Sequence, residues 1–423
     1  MATNDIRTDT VPAPMNRTNV VFSLTHTGLG GVTVLTFQLV EELRRMGWDA
    51  EIVVTSPSFA SNSLPEREWI THLTGHDLPQ RWCELLALIN SKRTHIFVAN
   101  TDFTSSAICS VLPGNCHSIG VLQSDELEHY DHLRRLGHYW DAVVVVSPTI
   151  AFQLVKDKSP FIEKVEVITN GIATSESRGF VKNEAPLALV YAGRLAEKQK
   201  RCSDLIPIVA MLQQRSIDFT LHIFGSGPSE TKLREGLADA IKSGQVVFEG
   251  PVSTDELISR FAEMHVFLQT SEYEGLSISL LQAMSAMVVP VVTRTSGSSE
   301  VVHEGLNGHL VPIGGIEELV NSIALLDENR ERLGRMRNAA RATVLEQYTI
   351  HHTAQKWIST FERLRNVSTP LSIRKPYVVP DYFGINSVIQ SLPFPSRLLY
   401  KVVRKLSPKA VVLMPAFRPS TWR

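Results

Sequence analysis

Long apolar runs are missing from this sequence. None reaches the roughly 18 residues that a membrane-spanning helix needs, so no such helix is expected. Cysteine is scarce. The four present (Cys83, Cys109, Cys116, Cys202) form no Cys-x-x-Cys pair, which reads as thiols of a reducing compartment, not as a zinc site or disulfide framework. No Asp-x-Asp occurs, so no metal centre of that kind is expected and no cofactor is implied. A full Gly-x-Gly-x-x-Gly with its downstream acid is also absent, which disfavours a dinucleotide oxidoreductase, and no Walker lysine follows the early glycines. Residues 1–15 are polar, with Pro12 and Pro14 and no apolar signal-peptide core, and read as a disordered lead-in.

What is present is a repeated alternation. At 423 residues the chain exceeds what one hydrophobic core usually serves, so two domains are expected. Short β-branched runs at 19–24, 50–55, 95–100 and 142–147 alternate with helical stretches such as 32–46. The pattern restarts with runs at 187–192, 219–224, 246–249, 266–268, 288–292 and 309–311, and helices close it from 317 to about 364. Such alternation predicts an α/β chain of two Rossmann-like domains, each a parallel sheet covered by helices, facing across a cleft. The expected divisions are 16–180 for the first domain, 181–370 for the second and 371–423 for a basic extension, with a Ser-, Glu- and Asn-rich linker at 173–186.

Four loops carry residues suited to anions. Gly28, Gly30 and Gly31 stand between the first strand and its helix, where backbone approaches a ligand closely and free N–H groups favour negative charge. Gly193-Arg194-Leu195 ends a strand just before Lys198, Lys200 and Arg201. Arginine offers a fixed fork for phosphate oxygens and lysine a mobile point charge. Ser271 to Ser277 places Glu272 and Glu274 at a strand-to-helix junction. Glu274 and Gln282, eight positions apart, are expected about two helical turns from each other, while Glu272 reads as an ordinary acid of a first helical turn. A glycine turn at Phe224-Gly225-Ser226-Gly227-Pro228 is the fourth.

In their order and spacing these segments resemble the nucleotide-sugar-dependent retaining glycosyltransferases of family 4, which have the GT-B fold. The resemblance covers about Asn19 to Leu364. It rests on Gly193-Arg194-Leu195 with Gln199-Lys200-Arg201, on the glycine turn at 224–228 and on the run from Ser271 to Met284. Gly30-Gly31-Val32, Val146-Ser147 and Thr169-Asn170-Gly171 support it.

The resemblance implies roles. Arg194 and Lys200, with Lys198 as the alternative lysine, would hold the donor diphosphate in place of a metal ion. Glu274 would sit beside the donor sugar. Gly30 and Gly31 would close over the donor, Pro251 and Val252 would receive the nucleobase, and Gly275 and Leu276 would offer amides. Two positions depart from the family. Gln282 stands where a glutamate accepts ribose hydroxyls, and Gln123, in Val121-Leu122-Gln123-Ser124-Asp125, stands where a histidine faces the sugar. His117 lies too early for that place, and His129 and His132 too late.

From 371 on, nine Lys and Arg stand against Asp381 alone, a net +8; with −1 for the whole chain, the remainder carries −9. A basic, aliphatic stretch at 395–406 suits an anionic bilayer at the inner, cytoplasmic membrane face, and equally a strap packed on the first domain or an assembly contact. The expected partners are a nucleotide-sugar donor and a glycan or lipid-linked acceptor, and no nucleic acid. The competing readings are a catalytically degenerate GT-B protein serving as a binding or scaffold subunit, motivated by Gln123 and Gln282, and a nucleotide-sugar epimerase of the same architecture. Loops within 57–79 would carry acceptor specificity.

Overall fold

The structure, a computed structural model, describes residues 18–366 apart from 29, 57–64, 101, 103–104 and 175–185. The lead-in 1–15, most of the linker 173–186, part of the loops at 57–79 and the basic extension 371–423 lie outside the described residues. The apolar runs form two sheets. The first comprises β1 (Asn19–Leu24), β2 (Asp49–Val54), β3 (Ile70–His72), β4 (Ile96–Asn100), β5 (His117–Leu122), β6 (Ala142–Val145) and β7 (Val165–Val167). The second comprises β8 (Leu187–Ala192), β9 (Phe219–Phe224), β10 (Val246–Gly250), β11 (Val266–Gln269), β12 (Val289–Thr293) and β13 (His309–Val311). All pairings within them are parallel, in the orders β3-β2-β1-β4-β5-β6-β7 and β10-β9-β8-β11-β12-β13.

Buried strands read as mainly apolar runs, unbroken in β6, because helices cover both faces of a parallel sheet. In each sheet the winding reverses once, beside β1 and β4 in the first and beside β8 and β11 in the second. Connections diverge there and leave a crevice at the C-terminal ends of the strands. The chain therefore has two parallel-sheet α/β domains in the GT-B arrangement.

Three strands escape a reading by apolar runs. β3 and β7 are three residues each, and β5 is interrupted by His117, Ser118 and Gly120. Gly120 is required by packing: a Cβ there would lie 2.0 Å from the Trp140 ring.

The helices after 316 do not all close the second half. Ile316–Glu328 and Arg330–Gln347 pack on it, but Ile350–Asn366 crosses back to the first sheet. Trp357 and Phe361 sit 5.6 Å apart, ring to ring. Phe22 lies 5.6 Å from Trp357, and Trp48 5.3 Å from Phe361. At the crossing, the Ile172 N–H donates to Tyr348 O (3.0 Å) and the Ile350 N–H to Ile172 O (2.7 Å).

A polar contact fixes how this helix lies against Gly31–Arg45. The nearly buried Glu42 carboxylate accepts from Arg45 at 2.7 and 2.6 Å and pairs with His351 Nδ1 at 2.7 Å. The Arg45 hydrogen bond holds Glu42 below its ordinary carboxylate range; burial opposes this, and His351 adds to it. A carboxylate depressed in the folded state contributes stability that is fully present above its unfolded pKa and is lost as pH falls through the folded value. Glu42→Gln is thus expected to lower stability by about 1–2 kcal/mol at neutral pH. The difference from the parent should shrink as pH falls through the depressed folded value, which denaturant melts at pH 7 and over a descending acid series will read.

Candidate active site

The second switch point gathers the charged residues. β8 and β11 are neighbours, with Val266 opposite Leu189 and Leu268 opposite Tyr191, so the loops at 193–201 and 270–277 emerge side by side. Lys200 Nζ lies 2.5 Å from Glu274 Oε1, with side-chain exposures of 16% and 7%. Ser271 Oγ donates to the same oxygen at 2.7 Å. Arg194 is exposed two residues beyond β8. Its Nη2 donates to Gln199 Oε1 at 3.2 Å, and its carbonyl accepts from the buried Tyr191 hydroxyl at 3.3 Å. Burial holds the Tyr191 phenol well above its usual range, so it stays a neutral donor.

The two lysines separate by direction. Lys198 turns to the first domain and meets Glu126 Oε1 at 3.2 Å, whereas Lys200 turns inward to Glu274. The Tyr273 hydroxyl also donates to Glu126 Oε1, at 3.0 Å. Burial, then this bond, pushes the Tyr273 phenol up to about 12. Glu126, Lys198 and Tyr273 thus form a polar clasp between the halves. Sequence reading missed Glu126, since a lone acid before a helix carries no signal of partners 72 and 147 residues away.

Glycines set the distance between the halves. Gly30 is extended (φ −150°) and caps the helix Gly31–Arg45, whose first residue faces the helix Ile278–Ser285; a Cβ on Gly31 would lie 3.5 Å from Ile278 Cγ1. Gly275 is buried and closer still, because a Cβ on it would come within 2.0 Å of Gln123 O. Leu276 is buried, and its carbonyl accepts from Asn170 Nδ2 at 3.3 Å. Along the second sheet, Gly225 (φ +119°) runs between Gly193 and Gly250, donating its N–H to Gly250 O at 2.8 Å. Pro251, exposed, and Val252, half-buried, follow β10, two strands along this edge from β8.

Other expectations change. The helix that carries Gln282 starts at Ile278, capped by the Ser277 hydroxyl, so Glu274 lies in the loop before it and the two-turn spacing to the buried Gln282 does not hold. Glu272 is likewise outside that helix, and its carboxylate pairs with Arg201 Nη1 at 3.0 Å. Gln123 Nε2 donates to Asn100 Oδ1 at 3.1 Å. Its buried Oε1 has no hydrogen-bond partner among the described residues, and it lines a cavity of about water size with Thr36, Asn100 and Asn170. His129 and His132 are buried; desolvation pulls them to about 4 and about 3, so both are neutral, and His132 Nε2 is 2.8 Å from Ser106 Oγ. All four cysteines are buried, and none of them is in a disulfide. Among the described residues, no group of three or more His, Cys, Asp and Glu is arranged to hold a metal ion, and no helix is long and apolar enough to cross a membrane.

Residues 174–343, less than half of the chain, match the family model described as glycosyl transferases group 1. Among curated proteins, the chain is 25% identical to the 2-deoxystreptamine glucosyltransferase of Streptomyces kanamyceticus, over 53% of this chain and 58% of that one. It is 31% identical to a GDP-mannose-dependent alpha-mannosyltransferase of Corynebacterium glutamicum, over 33% and 32%. With the poly(ribitol-phosphate) alpha-N-acetylglucosaminyltransferase of Staphylococcus aureus it shares 24% over 38% and 33%. The chain thus spans between a third and three fifths of the length of these relatives.

Similar solved structures include the pneumococcal O-GlcNAc transferase GtfA in complex with UDP and GlcNAc (TM-score 0.70, 13% identity, 83% of this chain and 100% of that one). Anabaena Alr3699/HepE in complex with UDP and glucose is another (TM-score 0.66, 16% identity, 82% and 100%). At these identities the likeness is one of fold. The fold likeness extends beyond residues 174–343 and gives most of the chain the two-domain GT-B architecture.

The Gly275 contact gives a test of how the halves meet. Gly275→Ala is expected to destabilise by about 1–3 kcal/mol, because the backbone of Gln123 must yield. Far-ultraviolet circular dichroism should stay parental while X-ray scattering in solution reports a larger radius of gyration.

Proposed function

We propose that the protein is a glycosyltransferase that moves a sugar from a nucleoside-diphosphate donor to a saccharide, polysaccharide or lipid-linked acceptor. The observation that carries this reading is the Lys200–Glu274 pair at the switch point of the second sheet, beside exposed Arg194 and opposite the glycine-capped helix of the first domain. A diphosphate arriving there competes with Glu274 for the Lys200 ammonium and meets the Arg194 fork. As the glycosidic bond to phosphate breaks, negative charge grows on the leaving group, and cations already in place stabilise it without reorganising. The freed carboxylate of Glu274 then lies beside a sugar that is gaining positive charge. Gly30, Gly31, Gly275 and Leu276 contribute backbone on either side, Pro251 and Val252 take the base, Gln282 the ribose, and Gln123 faces the acceptor side.

Metal-independent turnover and retention at the anomeric carbon belong to the same proposal, as does docking of the basic residues in 371–423 on an anionic membrane from the cytoplasmic side. The names of the relatives point to UDP- and GDP-linked sugars as the first donors to try. The presence of Arg194, Lys200 and Glu274 together supports turnover over a purely binding role.

The test is a melting-temperature panel with UDP, GDP and their sugars, followed by donor turnover. One nucleotide is expected to raise stability, by about 2.7 kcal/mol at a hundredfold excess over its Kd, and the effect should vanish in Arg194→Ala. Arg194→Ala and Glu274→Ala should each lower kcat about 100-fold or more, and a chelator should leave the parent rate unchanged. No shift with any nucleotide would overturn the reading.

A further inference from the structure

Two buried hydroxyls stand behind the Lys200–Glu274 pair. Thr270, 2% exposed, directs its hydroxyl at the carbonyls of Lys200 (2.8 Å) and Arg201 (3.2 Å). That turn needs holding, because Arg201 is left-handed (φ 45°, ψ 39°), a costly conformation for a residue with a side chain. Ser271, fully buried, donates to Glu274 Oε1 at 2.7 Å, the oxygen that Lys200 also reaches. Its own loop is tied in turn, since Thr293 Oγ1 donates to Ser271 O at 2.6 Å and the Glu272 N–H to Gln199 O at 2.8 Å.

We propose that Thr270 and Ser271 are positioning residues for the transfer reaction, Thr270 for Lys200 and Ser271 for Glu274. The proposal rests on the transferase reading above. A lysine ammonium is a point charge on a flexible stem, so it is only as well placed as the backbone that carries it. Thr270 fixes that backbone at Lys200 itself. Glu274 has the opposite difficulty. When a diphosphate draws Lys200 off, its nearly buried carboxylate loses a cation and needs another donor to stay charged and aimed. The Ser271 hydroxyl, fully buried, is already there. A misplacement of about 1 Å in either charged group is enough to cost about 100-fold in rate.

The experiment uses the full chain with UDP-glucose, UDP-N-acetylglucosamine and GDP-mannose, and reads release of UDP or GDP. The variants are Thr270→Val, Thr270→Ser, Ser271→Ala, Lys200→Ala, Glu274→Ala and the doubles Thr270→Val/Lys200→Ala and Ser271→Ala/Glu274→Ala. Thr270→Val keeps the shape and removes the hydroxyl. It is expected to lower kcat about tenfold or more with donor KM within about threefold, and Thr270→Ser should restore most of the rate. If the hydroxyls act through the charged pair, each will cost almost nothing further in the background that lacks its partner.

Additive losses in the doubles would assign both residues a purely structural role and overturn the proposal, and a Thr270→Ser variant as slow as Thr270→Val would overturn it for Thr270. If Thr270→Val does not fold, Thr270→Ser and the Ser271–Glu274 cycle decide it in the same way. A parent that releases no nucleoside diphosphate, and that no nucleotide stabilises, removes the transferase reading and this proposal with it. Release by the parent together with additive doubles removes the proposal alone.

Discussion

Two opposite charges held almost out of water, Lys200 and Glu274, set the terms for the rest of the second domain. Such a pair is tolerated only where hydrogen bonds make up for lost hydration. The loops around it are built to supply them. Ser271 donates to the carboxylate, Ser296 donates to the Glu274 carbonyl, and the strand-end backbone at Glu272 ties to Gln199. The pair also needs its two loops side by side, which requires β8 and β11 to be neighbours although residues 193–265 intervene between the two strands. A parallel sheet that winds outward in both directions from β8 places them so. The crevice that results is where such folds hold ligands.

The two halves are joined by contacts of different character. An aromatic cluster on the helix Ile350–Asn366 buries apolar surface against the first sheet, a contact without directional preference. Polar contacts set the register. Glu126 meets Lys198 and Tyr273 at one place, Thr149 Oγ1 donates to Glu300 at 2.8 Å at another, and Glu42 meets His351 at a third. The exposed Lys198–Glu126 pair adds little stability of its own. At Gly275 and Gly31 the absence of side chains lets backbone from one half come against the other, which puts the charged loops of the second domain directly under the first.

Much of the architecture can be read from the chain alone, because a strand buried on both faces must be apolar along its length. β1, β8 and β9 run over the residues that pattern predicts, and the other long strands begin or end within two residues of it. The exceptions have physical reasons. β5 hides behind His117, Ser118 and Gly120, since its small residue is demanded by Trp140 from a neighbouring element. The last helix follows the second half in sequence, yet its apolar face matches the first, and adjacency along the chain does not reveal which surface a helix will cover. Glu274 and Gln282 look like one helical face, but the Ser277 cap starts the helix after Glu274.

By itself the sequence determined two parallel α/β halves, the glycine turns at their strand ends and the supply of cations and acids at the loops. Those features depend on local periodicity and on residue type. Only the tertiary structure decided which charge meets which. Lys198 and Lys200 are two positions apart on the short helix Glu197–Lys200, so about 200° of rotation separates their directions. One must face the first domain and the other the interior. The choice was made by where β11 delivers Glu274 and where the first domain presents Glu126, and neither position is encoded near the lysines themselves.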